Sequence, residues 1–277
     1  MIVRTRLGPV TSLVCVAFLA VAGSASAGPD WAAASSAAVH PGVQTVTNSA
    51  QCTSNFVFTS GSKVYLGQAA HCAAAATNAD QVNGCTSSSL PIGTKVKVTG
   101  ASKQGVLAYS SWLTMQAVKE KDANACAYND FALVELDPAD VGKVNPSLAF
   151  WGGPSGLNTE GLRQGEVVVS YGSSQLRAGA SDLNAKQGTS LGDTGGGWSH
   201  TIVTVTPGIP GDSGSAVLDS AGRAVGVLST LNISSNAGSN NAGDLARELN
   251  YLRAHSSLKN VSLTTGTQTF RGPLTLS

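Results

Sequence analysis

Short runs of β-type residues, each stopped by Gly, Asn, Ser or Pro, recur along most of this chain and constrain its fold more than any other feature. They fall at 55–59, 63–66, 95–98, 131–136, 166–171, 201–205, 215–218 and 224–228. Short runs with turn residues between them predict an all-β sandwich or barrel. Residues 28–40, rich in Ala and Ser, read as a flexible arm, and the Ser/Gly-rich stretch 172–197 reads as a surface loop. One helix is predicted at about 244–255, with Asp244 as its cap and Leu245, Leu249 and Leu252 at helical spacing. Residues 261–277 give no clear pattern.

The first 27 residues read as a signal peptide rather than as part of the fold. Arg4 and Arg6 make a basic start, an apolar stretch runs over 13–22, and Ala25-Ser26-Ala27 is a small-residue cleavage signal. That stretch is shorter than the roughly 20 residues a membrane span needs. Val14 precedes Cys15 where a lipoprotein signal wants a small residue, which argues against lipid anchoring. Cutting after Ala27 leaves a chain long enough for a full core, in one domain or two closely packed halves. The formal net charge of +1 suggests neither nucleic acid nor an acidic polymer as a partner.

Beyond the signal segment stand Cys52, Cys72, Cys85 and Cys126. An even number in an exported chain implies two disulfides, with three possible connectivities. The pairing favoured here is Cys52–Cys72 with Cys85–Cys126, the first stapling the strand before His71 to the loop that carries it. A metal site is the rival reading, weakened because no pair has Cys-x-x-Cys spacing.

The chemistry centres on Gly211-Asp212-Ser213-Gly214-Ser215. A serine between glycines is an ordinary turn signal on its own. Its weight comes from Ala69-Ala70-His71-Cys72 and Asn129-Asp130-Phe131-Ala132-Leu133 upstream, which put His, Asp and Ser in that chain order. A serine hydroxyl needs a base to take its proton as it attacks. Histidine titrates near the working pH and can return the proton to the leaving group. A carboxylate on the far ring nitrogen fixes the tautomer and stabilises the imidazolium. The N–H groups of Gly211 and Ser213 are assigned to the developing oxyanion. Asp122 and Asp137 rival Asp130, but only Asp130 opens the run Phe131-Ala132-Leu133-Val134. His40, His200 and His255 read as surface or structural, and Asp212 as shaping the oxyanion loop.

These motifs together resemble the trypsin-like (chymotrypsin-fold) serine endopeptidases, especially the secreted actinobacterial ones. The resemblance rests on Cys52 to Phe58, Gly67-Gln68-Ala69-Ala70-His71-Cys72, Asn129 to Val134, Pro210 to Ala216, and Val225 to Leu231, which looks like the family's substrate-binding strand. It covers roughly residues 43–255 and implies two six-stranded antiparallel barrels with the triad in the cleft between them. His71 and Asp130 would come from the first barrel, about 43–145, and Ser213 from the second, about 146–243, before the C-terminal helix and tail. Residues 28–42 would be an N-terminal arm or short pro-segment, and 43–277 the protease domain.

Departures from the family pattern carry information. Gly67 and Gln68 replace an aliphatic residue and Thr or Ser. No basic-Ile-Val-Gly-Gly junction is visible, so Asp212 must find a partner other than a freed amino terminus; Arg163 and Arg177 are candidates. The resemblance places Pro207, Ser229, Thr230 and Leu231 around the specificity pocket. Pro207 stands where a preference for Arg or Lys needs an aspartate, the strand lacks the histidine of Glu-preferring relatives, and Leu231 replaces a glycine. A small or shallow apolar pocket is expected. The leading expectation is a secreted, extracellular serine endopeptidase: a monomer acting on polypeptide, with no cofactor, no metal, no nucleic acid and no membrane attachment after signal removal. A non-catalytic binding protein on the same fold and an esterase with the same triad are the alternatives.

Overall fold

Lys95 and Lys97 are exposed and Val96 and Val98 are buried, the two-residue period of a strand with one face on the core. Such strands assemble in a computed structural model that describes residues 1–3, 28–75, 83–233 and 236–275. The expected signal peptide, 1–27, lies almost wholly outside the described residues. No helix among the described residues is long and apolar enough to cross a membrane.

The first half contains β1 (Gln44–Thr47), β2 (Ala50–Thr53), β3 (Val57–Ser60), β4 (Lys63–Gln68), β5 (Lys95–Val98), β6 (Gly105–Ser110) and β7 (Ala132–Glu135). They pair antiparallel in the order β3-β4-β7-β6-β5-β1-β2. The end strands β2 and β3 are consecutive in the chain, and residues 54–56 continue both ladders. Ser54 N–H donates to Val43 O and Asn55 N–H donates to Gly67 O, each at 2.9 Å. The sheet therefore curls round one bent strand, β2–β3, and gives the expected first barrel of six. Gly67 leaves the room that the Asn55 side chain and the Phe58 ring occupy.

The second half contains β8 (Val167–Tyr171), β9 (Ala185–Thr194), β10 (Ser199–Thr204), β11 (Ala216–Asp219), β12 (Ala224–Leu231) and β13 (Asn240–Asp244). They close into an antiparallel barrel in the order β10-β13-β12-β11-β8-β9. One buried cluster fills the space between the halves, with Phe56, Phe131, Trp151, Val169, Leu218 and Leu249 among its members. The first barrel has its own core around Val64, Leu66 and Trp112, and the second around Val168, Ile202 and Leu228.

The C-terminal helix is α3 (Leu245–His255), and the Asp244 side chain caps it by accepting from Arg247 N–H. Two short helices were not anticipated: α1 (Ser111–Val118) and α2 (Ala123–Tyr128), the latter capped by Asp122. Beyond α3 the tail adds strand β14 (Ser262–Leu263) to the outer edge of β3. It then crosses to the second half, where Gly153 N–H donates to Gln268 O and Arg271 N–H to Trp151 O.

Two expectations need correction. The stretch 172–197 is not all loop, because it holds β9, paired with β8 on one side and β10 on the other. Neighbours on both edges supply the hydrogen bonds that make a strand of so polar a sequence. The arm at 28–40 is docked rather than flexible. Val39 is fully buried and bridges Val144, and Ala32 N–H donates to Val144 O at 2.8 Å.

Candidate active site

His71 sits on a short 3-10 turn, Ala70–Ala73, that follows β4. Its neighbour Cys72 is bonded to Cys52 of β2, and Cys85 to Cys126, which is the favoured pairing. The His71 ring and the two sulfurs of the first bridge lie within 4.8 Å of one another, but sulfurs bonded to each other offer no thiolate to a metal.

Asp130 lies at the end of the α2–β7 connection and is 1% exposed. Every polar atom it has is held. Its N–H donates to Glu248 Oε1 at 3.1 Å, and its carbonyl accepts from Ala70 N–H at 3.1 Å. Oδ1 accepts from His71 N–H at 2.8 Å. Oδ2 lies 2.6 Å from His71 Nδ1 and accepts from Ser229 Oγ at 2.6 Å. Burial alone would lower the His71 pKa, but the Asp130 charge and hydrogen bond outweigh it and leave it raised above the ordinary 6.5.

Ser213 lies in the loop between β10 and β11, and covalent and hydrogen bonds tie that loop to the His71 turn. Thr53 N–H donates to Ser213 O at 2.8 Å, and Thr53 follows Cys52, the partner of Cys72. Gly214 has φ +88°, and a β-carbon there would come within 2.9 Å of Ala69 N, two residues before His71. Only glycine suits that conformation and that approach.

The loop amides divide into two sets. Asp212 N–H donates to Ile209 O, Gly214 N–H to Leu228 O and Ser215 N–H to Asp212 O. Among the described residues, the N–H groups of Gly211 and Ser213 have no protein acceptor. Both of their peptide planes are nevertheless pinned from the carbonyl side. Ser174 Oγ donates to Pro210 O at 2.6 Å, and Ser215 Oγ donates to Asp212 O at 2.5 Å. Gly211 O is held in turn by Gln51 Nε2 at 3.0 Å and Thr53 Oγ1 at 2.8 Å.

The Asp212 side chain is fully buried, and its partners are Ser174, Arg177, Lys186 and Ile209. Oδ1 accepts from Ser174 N–H at 3.0 Å. Oδ2 lies 2.6 Å from Arg177 Nη2 and 3.3 Å from Lys186 Nζ. Of the two candidate partners Arg177 is present and Arg163 is exposed. Lys186, on β9, was not anticipated; burial, reinforced by the Arg177 charge, lowers its pKa against the opposing pull of Asp212.

Around the expected pocket, Pro207 O accepts from Arg177 Nη2 at 2.9 Å. The Ser229 side chain is turned to Asp130 rather than offered to a ligand. Thr230 and Leu231 are half-buried on β12. Sequence reasoning missed Asn240 of β13. Its Oδ1 accepts from Gly208 N–H at 2.8 Å, and its Nδ2 donates to Gly208 O at 3.0 Å and Thr230 O at 3.2 Å. His200, read as surface or structural, is buried, with Asp193 and Asp244 at 2.9 and 3.0 Å.

No family model matches the sequence, and no curated protein matches it. The structure does find counterparts. It is similar to Thermobifida fusca protease A, at 18% identity and a TM-score of 0.53 over 83% of this chain and 100% of that one. It is also similar to a glutamic-acid-specific serine protease that uses a histidine triad in substrate binding, at 19% identity and a TM-score of 0.50 over 82% and 100%. The chain has the chymotrypsin fold. Within the chymotrypsin fold seen here, His71 and Asp130 come from the first barrel and Ser213 and Ser229 from the second.

Proposed function

We propose that the protein is a secreted serine endopeptidase that cleaves peptide bonds through an acyl-enzyme. The observation that carries this reading is the clamp on Asp130. Two donors from His71 and one from Ser229 converge on one buried carboxylate, and the Gly-Asp-Ser-Gly loop is joined to the His71 turn through Thr53 and the Cys52–Cys72 bridge. A carboxylate 2.6 Å from Nδ1 keeps a proton on that nitrogen and leaves Nε2 as the base. His71 then takes the Ser213 proton as Oγ attacks, and gives it to the leaving amine. Charge building on the substrate oxygen meets the amides of Gly211 and Ser213, whose peptide planes are fixed beforehand. Losing one such donor costs about 100- to 1000-fold in rate.

Specificity for a small apolar residue before the cleaved bond follows from two features. Pro207 brings no charge, so a buried Arg or Lys would lack a counterion. The Asn240 amide also ties Gly208 to Thr230, the neighbour of Leu231. Arg177 and Lys186 already satisfy Asp212, which favours a site that forms without a freed amino terminus. Two disulfides and the signal-like first 27 residues favour an oxidising, extracellular setting.

Purified residues 28–277 should cleave members of a peptide library and take up one equivalent of an organophosphate at Ser213. A protein that binds peptides but neither cleaves nor is labelled would be the binding-module alternative. Turnover of esters without peptides would be the esterase.

A further inference from the structure

The backbone of Asp130 is held by a second carboxyl group. Glu248 lies in the first turn of α3 and is fully buried. Its Oε1 accepts the Asp130 N–H at 3.1 Å, and among the described residues its Oε2 has no partner. The pocket that holds it is specific. A β-carbon on residue 243 would collide with Glu248 Oε1, so glycine at that point of β13 makes room for the carboxyl. Of all the contacts on Asp130, this one alone comes from the C-terminal helix.

We propose that Glu248 is a positioning residue for the catalytic pair, held as the neutral acid, which anchors the Asp130 backbone from the second half of the molecule. The proposal rests on the protease reading of His71, Asp130 and Ser213.

The neutral form follows from the surroundings. The charged groups facing Glu248 are Asp130 from the α2–β7 connection and Asp244 at the head of its own helix, with Tyr109 of β6 the remaining titratable neighbour. Beyond Asp244 lies His200 of β10, which is bound to that carboxylate. No cation touches Glu248 among the described residues. An ionised Glu248 would be a buried charge with no counterion and an unpartnered oxygen, which is costly. Burial first, then the negative charges of Asp130 and Asp244, push its pKa well above the ordinary 4.5, against the single pull of the Asp130 amide. As the acid, Glu248 offers a carbonyl oxygen to the amide and adds no negative charge beside Asp130. His71 then faces one carboxylate instead of two.

Three proteins test this: the parent, Glu248→Gln and Glu248→Met. Glutamine keeps an uncharged acceptor at the same place, whereas methionine keeps the volume and removes the acceptor. Glu248→Gln should retain kcat within about twofold and leave the midpoint of the acid limb of kcat/KM against pH unchanged, since 1.4 kcal/mol is already tenfold. Glu248→Met, shown folded by its melting curve, should lose about 10- to 100-fold in kcat with little change in KM, the scale expected of a misplaced catalytic group. Parental kcat in a folded Met variant would overturn the positioning role. A downward shift of the acid limb in Glu248→Gln would reveal a lost negative charge and overturn the neutral form. If the Met variant fails to fold, Glu248→Asp withdraws the acceptor while keeping a carboxyl, and the same loss is expected. If the parent itself has no turnover, the protease reading fails. The proton NMR signal of His71 Nδ1–H then still decides the positioning role: it should match in the parent and Glu248→Gln and move in Glu248→Met.

Discussion

Arg177 Nη2 lies 2.6 Å from Asp212 Oδ2, and both side chains are almost wholly enclosed. The pair links the 172–184 segment to the loop that carries Ser213. The same segment supplies Ser174, whose hydroxyl holds the Pro210 carbonyl and whose amide holds Asp212. One surface connection thus sets the direction of the Gly211 N–H from two sides.

Arg177→Met is therefore expected to reach both stability and turnover. It strands a buried carboxylate with only Lys186 nearby, and breaking a buried pair costs roughly 3–5 kcal/mol. A lower melting temperature together with a lower kcat is the expected outcome. Unchanged thermal unfolding would show that Lys186 alone compensates Asp212.

Ser213→Ala should abolish peptide turnover and organophosphate labelling while leaving the melting temperature within a few degrees. Among the described residues the hydroxyl makes no hydrogen bond, and those of the His71–Asp130 pair run to Ser229 rather than to it. Parental activity in this variant would remove Ser213 from the mechanism.

The pH profile follows from the His71–Asp130 pair. The raised pKa keeps the imidazole protonated above the ordinary 6.5, and the base works only when neutral. kcat/KM should rise through a midpoint above 6.5 and level off in mild alkali. The linked stability has the opposite sense: the ion pair stabilises the fold fully below about 6.5, and that contribution fades as pH climbs through the raised value. An optimum in acid would exclude His71 as the base.

The candidates His71, Asp130 and Ser213 could be picked out because acyl-transfer chemistry permits few residue types and each stands in a distinctive neighbourhood, as with Asp130 ahead of Phe131 and Ala132. The disulfides were legible because two bridges had to be made from four cysteines, one of them beside His71. Strand β9 was hidden because Lys186, Ser190 and Thr194 look like loop residues; pairing on both edges, not side-chain pattern, makes them a strand. Glu248 and Asn240 were hidden for another reason. On a one-dimensional chain a buried polar residue is indistinguishable from an exposed one, and only the fold brings Glu248 to Asp130 or Asn240 to Gly208. For α2 a signal was present, Asp122 as a helix cap.

Asn240→Gly should broaden specificity. Removing the amide opens the gap between Gly208 and Thr230 and lets water or a larger side chain reach their backbone groups. The ratio of kcat/KM for Phe over Ala substrates, measured on matched peptides, is expected to rise at least several-fold. A constant ratio would place Asn240 outside the pocket.

Asp140 is expected to contribute to stability in acid. It is fully buried and accepts from Ser102 N–H and Oγ, each at 2.8 Å, and from Lys103 N–H at 2.9 Å, with Lys143 Nζ at 2.8 Å. Burial alone would raise its pKa, but Lys143 and the Ser102 and Lys103 donors hold it far below the ordinary 3.8. Its stabilisation is present above 3.8 and is lost as pH falls toward the depressed value. Asp140→Asn should cost roughly 1–3 kcal/mol at neutral pH and flatten the loss of stability in acid, as seen in urea melts at successive pH values. An unaltered acid slope would assign that loss to other carboxylates.

Strand β14 joins the end of the chain to a sheet written near its start. The barrel that holds His71 and Asp130 is written early in the chain, yet its outer edge at β3 is covered by Ser262 and Leu263, which are translated after the whole second barrel. Until they arrive, the edge of β3 is an open template for stray strands. Trimming the chain after residue 257 would therefore be felt first at the far end of the sequence, as aggregation seeded at β3, rather than at the cut.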